Sequence, residues 1–282
     1  MKVIRVPEKI TKLLKAARNK GRHIGFVPTM GALHQGHSSL ITQAKKENDL
    51  VVVSIFVNPV QFGPREDLNS YPRPLKNDLW LCRKHKVDIV FLPESKNMYP
   101  EGFTTFVSVE KLSNLLCGAT RPGHFRGVTT VVAKLLNIVG PDVLYLGQKD
   151  AQQAVIIKRM VSDLNFPVKV RVLPTVRQKD GLALSSRNAY LNAAQKLDAL
   201  VLFKALSLAK ILINHGQQDA TRIISRIKEL INKKKQACID YIAIVDLEKL
   251  QGIKKIDRDC MICLAVKIGK TRLIDNLVVK YG

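Results

Sequence analysis

The sequence predicts an α/β fold, a doubly wound parallel sheet followed by a second, smaller α+β domain. Three observations predict it. Through residues 1–177, short apolar runs alternate with stretches whose apolar residues recur at helical spacing, the rhythm of a parallel sheet with helices on both faces. Some of those runs are β-branched almost throughout, as strands buried on both faces are. Beyond Arg177 the order changes to two long helices and then strands, typical of a small α+β unit. The expected division is 1–177 and 178–282.

Residues 24–27 form an apolar run suited to a buried strand, and residues 38–46 have helical spacing. Residues 50–57 are a β-branched strand, 75–85 a helix and 87–92 a strand. Residues 127–139 read as a helix, 143–146 as a strand, 150–164 as a helix and 168–173 as a strand. The polar stretch 177–192 is expected to connect the two regimes. After it come helices over 193–214 and 220–234 and strands over 240–245 and 261–267. No internal repeat or low-complexity tract interrupts the series.

The 282 residues are 46% hydrophobic and 24% charged, a globular composition. No apolar stretch reaches the roughly 18–20 residues a bilayer span needs. Charged residues follow Met1 closely, so no signal-peptide apolar region is expected, and the protein is expected in the cytoplasm. Five scattered cysteines in such a chain argue against a disulfide framework. Cys260 and Cys263 have metal-type spacing without a second ligand pair. In a strand they would face opposite sides, so they read as structural.

The net charge of +23 is one footprint of nucleic-acid binding. However, residues 1–177 carry 27 Lys/Arg against 13 Asp/Glu, and residues 178–282 carry 19 against 10, so the excess follows length. No basic arm is present and aromatics are only 6%. The field favours small anionic substrates and specifies no nucleic acid or membrane; an RNA-binding module stands as the alternative that charge alone supports.

Candidate chemistry sits where strands end, because ligands of such sheets bind beyond the strand carboxyl ends. Pro28-Thr29-Met30-Gly31-Ala32-Leu33-His34-Gln35-Gly36-His37 joins a strand to a helix start, where unpaired N–H groups favour a phosphate. An ordinary polar turn has equal claim on this segment by itself. Asn58-Pro59-Val60-Gln61-Phe62-Gly63 offers two uncharged amides for orienting a hydroxylated or carboxylate substrate. Arg121-Pro122-Gly123-His124-Phe125-Arg126-Gly127 brings cations and glycines to a helix start. Gly147-Gln148-Lys149-Asp150-Ala151-Gln152-Gln153 places a lysine in reach of a phosphate and Asp150 at an N-cap position. In Asp180-Gly181-Leu182-Ala183-Leu184-Ser185-Ser186-Arg187-Asn188, two hydroxyls and a guanidinium follow a flexible turn, suited to closing over a triphosphate. The P-loop, the dinucleotide fingerprint and the nucleophile elbow are all missing from the sequence.

Taken in order, these segments, with Tyr71-Pro72-Arg73, resemble the pantoate–β-alanine ligase family over nearly the whole chain. The first segment alone resembles the broader nucleotidylyltransferase superfamily, whose Rossmann-like sheet the resemblance implies here. A nucleotidylyltransferase acting on a phosphate acceptor is thus the third reading. The family resemblance implies a two-step ligase: pantoate and ATP with Mg²⁺ give pantoyl adenylate and pyrophosphate, and β-alanine then displaces AMP. It implies nucleotide contacts along Met30, Gly31, Ala32, Leu33, His34, Gln35, Gly36 and His37, with His37 as a proton donor. Lys149, Arg187, Ser185 and Ser186 would hold the β- and γ-phosphates, with Leu184 beside them. Gly147, Gln148, Asp150 and Val176 would border the nucleotide. Gln61 and Gln153 would hold pantoate, with Asn58 nearby. The catalytic set implied is His34, His37, Lys149 and Arg187. A homodimer is implied as well. The chain departs from the family at Cys117, Gln148 and Gln178, where glutamate is usual, and at Leu75-Lys76-Asn77, where acids are frequent. Asp78 is kept as the acid nearest the metal, with no metal ligand assigned.

Overall fold

The computed structural model describes residues 1–64 and 66–281. Six parallel strands form the first sheet: β1 (Lys2–Ile4), β2 (Ile24–Thr29), β3 (Leu50–Ile55), β4 (Ile89–Phe91), β5 (Val143–Gly147) and β6 (Lys169–Leu173). Their order is β1-β4-β3-β2-β5-β6. From β2 the chain moves outward through β3 and β4, then returns to place β5 on the other side of β2. The strand order therefore reverses between β2 and β5, which is where a doubly wound sheet opens a crevice.

The helices are α1 (Pro7–Arg18), α2 (Gln35–Glu47), α3 (Leu75–Lys84), the single turns α4 (Ser95–Met98) and α5 (Cys117–Thr120), α6 (His124–Val139) and α7 (Ala151–Asp163). Side chains of α1, α6 and α7, among them Ile10, Leu14, Leu136 and Ile156, share one core with Phe26 and Val52. Leu40, Ile41 and Ala44 of α2 and Cys82 of α3 share the other with Val27, Val51 and Val53. Successive strand residues thus enter opposite cores, as a period of two requires. Gly25 is needed where β2 passes the second layer, because a Cβ there would lie 2.6 Å from Asn48 Nδ2.

After the irregular stretch 174–192 come α8 (Ala193–Asn214), α9 (Ala220–Asn232) and an antiparallel sheet of β7 (Ala237–Asp246), β8 (Cys260–Ile268) and β9 (Thr271–Val279) in that order. Alternation in β8 sends Cys260, Ile262 and Leu264 to the core under α8 and α9, and Met261 and Cys263 to the opposite face. The two cysteines are separated as the strand reading requires, and all five are free thiols.

Five elements lie outside the sequence expectation, the single turns α4 and α5 among them. Strand β1 is only three residues long. Helix α1 opens on Pro7, a residue that ends helices elsewhere but suits a first turn. Strand β9 carries Asp275 and Asn276 in its middle, which breaks its apolar signal. The helix expected over 127–139 begins earlier, at His124, after Gly123 turns at φ +81°. Among the described residues, no helix is long and apolar enough to cross a membrane.

Candidate active site

A cleft of about 910 Å³ lies over the β2/β5 crevice, walled by the loops after β2, β3 and β5, the 174–190 connector and the β8–β9 hairpin. It brings together Met30, His34, Gly36, His37, Asn58, Gln61, Gly147, Lys149, Asp150, Gln153, Val176, Leu184, Ser185, Ser186 and Arg187. Leu184 N–H donates to Val176 C=O at 3.0 Å, and Arg177 bridges Ala183, so the connector folds back and presents both apolar residues on one wall.

Gly31, Ala32, Leu33, Gln35 and Gln148 do not line it. Gly31 (φ +84°) and Ala32 (φ +49°) make the turn before α2. That turn is anchored by buried Asp78, whose two oxygens accept from Ala32 N–H (3.0 Å) and Leu33 N–H (2.7 Å). With a backbone N–H on each oxygen, the Asp78 carboxylate shapes the turn, and it lies outside the cleft wall. Gln148 is turned to the second sheet: its Nε2 donates to Asn276 Oδ1 at 3.0 Å. Gln178 is exposed and also outside the wall. Of the three positions where glutamate was expected, only Cys117 faces the cleft, beside Tyr241 Oη (3.1 Å) and the Arg272 guanidinium.

The two histidines form a pair at the head of α2, with ring centroids 4.2 Å apart. His34 is the N-cap, and its Nδ1 accepts from Gly36 N–H at 3.1 Å. His37 Nδ1 accepts from His34 N–H at 3.2 Å. Each Nδ1 is therefore an acceptor, and the hydrogen of each neutral ring sits on Nε2. Burial, and then the Lys149 ammonium, push His34 down to about 4; burial, and then His34, push His37 down to about 3. At neutral pH both rings are uncharged Nε2–H donors. His37 offers a ligand a hydrogen bond without being a reservoir of a titrating proton.

Lys149 Nζ lies 3.3 Å from Asp150 Oδ1 on the 3₁₀ turn that ends the β5 loop. Asp150 makes no side-chain cap for α7, contrary to its capping composition. Burial raises its affinity for a proton, but the Lys149 ammonium, by charge and hydrogen bond, and then Arg187 outweigh that and hold the carboxyl below its usual range. Arg187 is engaged too: Nε and Nη2 reach the two Asp67 oxygens at 3.0 and 2.8 Å. Ser185 caps its own turn by accepting from Arg187 N–H, and Ser186 Oγ donates to Ala32 C=O at 3.3 Å.

Asn58 is buried and fully used. Its Oδ1 accepts from Tyr99 Oη at 2.8 Å, and its Nδ2 donates to Gln61 Oε1 and Gly127 C=O, both at 3.1 Å. With Oε1 already accepting from Asn58, the freer group of Gln61 is its Nε2 donor, which has just the weak acceptor Met30 Sδ at 3.0 Å. Asn58 thereby orients Gln61 as a donor to an anion. Gly127 permits this approach: a Cβ there would fall 2.5 Å from Val60 O and 2.6 Å from Gln61 Cα.

Several cleft residues escaped the sequence reading. Glu66 takes Arg121 in a bidentate pair, 2.6 Å at both contacts, and Asp67 takes Arg187 in the same way. Asp240 pairs with Arg272, and Asp275 with Arg177. Adjacent acids at 66 and 67 in so basic a chain were the available signal for the first two. The others sit on β7 and β9, and β9 itself was not recognised.

A parallel sheet with a cleft at its strand-order reversal, furnished with imidazoles and cations, defines the class: a doubly wound α/β protein equipped for phosphate-bearing ligands. The chain belongs to the pantoate–β-alanine ligase family, whose match runs over residues 2–278. It is 54% identical over 260 residues to a pantothenate synthetase of Syntrophotalea carbinolica, covering 92% of each chain. It is 52% identical to that of Heliobacterium modesticaldum, over 99% of this chain and 100% of the other. The crystal structure of pantothenate synthetase from Thermus thermophilus superposes with a TM-score of 0.94 at 43% identity, over 98% of this chain and 99% of that one. The pantoate–β-alanine ligase of Francisella tularensis, complexed with beta-gamma ATP and β-alanine, gives 0.80 at 39% identity, over 99% and 97%.

Proposed function

We propose that this chain joins pantoate to β-alanine at the expense of ATP, through pantoyl adenylate, releasing pyrophosphate and then AMP. The observation that carries the reading, beside family membership, is the convergence in one cleft of the His34/His37 pair, Lys149 and Arg187 with the Gln61 amide. A carboxylate attacking the α-phosphorus is already ionised and needs no base. It needs alignment, and donors for charge spreading over phosphate oxygens. The two Nε2–H groups at the head of α2 supply donors, and Lys149 and Arg187 supply charge to the β- and γ-phosphates. Ser185 and Ser186 stand beside them, and Gly147, Asp150 and Val176 border the nucleotide. Gln61, held by Asn58, and Gln153 position pantoate. β-Alanine then attacks the acyl carbon as free amine and AMP leaves.

Mg²⁺ fits this donor set as an ion riding on the triphosphate. Among the described residues no three His, Cys, Asp or Glu side chains cluster as a metal cage. The ion commonly binds through one or two carboxylates, water and phosphates, so Asp150 is the protein group that would hold it. When bound, it neutralises charge on the phosphate oxygens.

The same reading assigns residues 1–177 to nucleotide and pantoate binding and 178–282 to closure over ATP. It includes a cytoplasmic homodimer, whose mass sedimentation equilibrium checks. The deciding assay supplies ATP, pantoate and β-alanine: AMP stoichiometric with pantothenate is expected, and ADP as product would sink the adenylate route. Pyrophosphate release that requires a phosphate acceptor in place of the amine would favour a nucleotidylyltransferase instead.

A further inference from the structure

As it stands, Arg187 has one edge of its guanidinium closed to a triphosphate. Both ends of its Nε–Nη2 edge are taken by the two oxygens of Asp67, at 3.0 and 2.8 Å, the fork that a phosphoryl group would otherwise fill. The guanidinium also lies over the Tyr71 ring, 5.9 Å from its centroid. Tyr190, on Arg187's own 3₁₀ turn, donates its hydroxyl to Ser70 C=O at 3.1 Å. The segment carrying Asp67 is thus fastened to the turn carrying Arg187. A carboxylate that merely orients an arginine stands behind it, away from the ligand. Asp67 lines the cleft itself, so with ATP bound in this geometry its charge would face the phosphates.

We propose that Asp67 is a tethered competitor for Arg187, a positioning residue that yields the guanidinium to ATP and recaptures it as pyrophosphate departs. The proposal rests on the reading that Arg187 holds the β- and γ-phosphates. A carboxylate on the same chain acts at an effective concentration on the order of millimolar, with one charge against the several of a triphosphate. Intact ATP, anchored also through its nucleoside, takes the arginine. Once the bond between the α-phosphorus and its bridging oxygen breaks, pyrophosphate keeps only its phosphate contacts, and Asp67 displaces it from the fork. Adenylate formation is thereby separated from its reversal before the amine arrives.

The test titrates inorganic pyrophosphate calorimetrically into the ligand-free protein. Asp67→Asn and Asp67→Ser are expected to tighten binding about fivefold or more, the scale of a partly buried bidentate pair removed from competition. Asp67→Glu, which keeps the charge, should stay near wild type, and Arg187→Gln should weaken binding about tenfold. In turnover, Asp67→Asn should deepen product inhibition by pyrophosphate and lower kcat while KM for ATP falls. A purely structural role for Asp67 would not lower KM. Unchanged or weaker pyrophosphate binding in both neutral variants, with Arg187→Gln still weakened, overturns the competitor and leaves the ligase reading intact. If Arg187→Gln also binds as wild type, the arginine does not meet the phosphates, and the assignment beneath the proposal falls with it.

Discussion

The histidine pair shows how much one hydrogen-bond direction decides. Because each Nδ1 accepts a backbone N–H, protonating a ring would set two hydrogens against each other, and burial resists the charge further. His124 obeys the same logic on the opposite wall: Arg121 donates to its Nε2, Nδ1–H donates to Gln61 C=O, and burial with the Arg121 charge pushes it to about 4. All three rings are depressed from the value of 6.5 they regain on unfolding. The stability they contribute is therefore complete above pH 6.5 and is lost as the pH falls toward 4, where only the unfolded chain takes up the protons. Each ring is expected to cost about 1–2 kcal/mol between pH 7 and pH 5. Urea titrations at the two pH values check the sum, and ring-proton NMR checks the assignment. Titration midpoints near 6.5 for all three rings would refute the neutral pair. Lys149→Ala removes a charge aimed at the phosphates and should slow adenylate formation about 10²-fold or more, read by single-turnover AMP production. An unchanged rate would remove Lys149 from the mechanism. The positions of these residues were legible because their types and spacing are chemical. Their protonation states and Arg187's partner were not, because both depend on neighbours brought from elsewhere in the chain, such as Asp67.

At the scale of elements, the cleft is held by two close approaches. One is α6 against the Pro59–Gln61 turn, possible only at Gly127. Gly127→Ala must push that turn away, costing about 1–3 kcal/mol as overpacking does, and should raise KM for pantoate more than KM for ATP. Gly147 is the contrasting case, because a Cβ there meets nothing within 4 Å. Gly147→Leu should therefore leave the melting temperature unchanged while raising KM for ATP about tenfold or more, by filling the nucleotide's space. Equal effects of the two substitutions on both substrates would contradict this division of the cleft. The second close approach is β9 against the β5 loop, where Asn276 Nδ2 donates to Gln148 C=O at 2.9 Å and Lys149 C=O at 3.0 Å. Asp275 next to it takes Arg177 of the connector at 2.6 and 2.8 Å. These polar residues fasten the small sheet to the lysine loop. The long apolar strands and the amphipathic helices after α1 were legible from periodicity, whereas α1, opening on Pro7, was not. Strand β9 was not, because the residues that do its joining interrupt the alternation by which strands are read.

At the scale of the whole molecule, the net charge of +23 and the charge of the cleft part company. The lining carboxylates Glu66, Asp67, Asp150, Asp240 and Asp275 each sit against a cation, Arg121, Arg187, Lys149, Arg272 and Arg177 in turn. Pairing cancels most of the local charge, so the excess acts as a field spread over the molecule, as its even distribution between 1–177 and 178–282 suggested. A distributed field accelerates the encounter with anions without specifying them, and it is screened once the Debye length falls below the molecule's dimensions. Raising ionic strength from about 0.01 M to about 0.15 M shortens that length from about 30 Å to about 8 Å. Both ATP and pantoate are anions, so their kcat/KM should fall about three- to tenfold over that range while kcat hardly moves, because the bound complex keeps its short, partly buried contacts. RNA should inhibit at the low-salt end only and lose its hold as its counterions are restored. Stopped-flow measurement of nucleotide association across a salt series separates the two readings of the charge: an association rate indifferent to salt, with RNA binding that survives at physiological strength, would mean that the basic surface was built for a polymer and not for small acids.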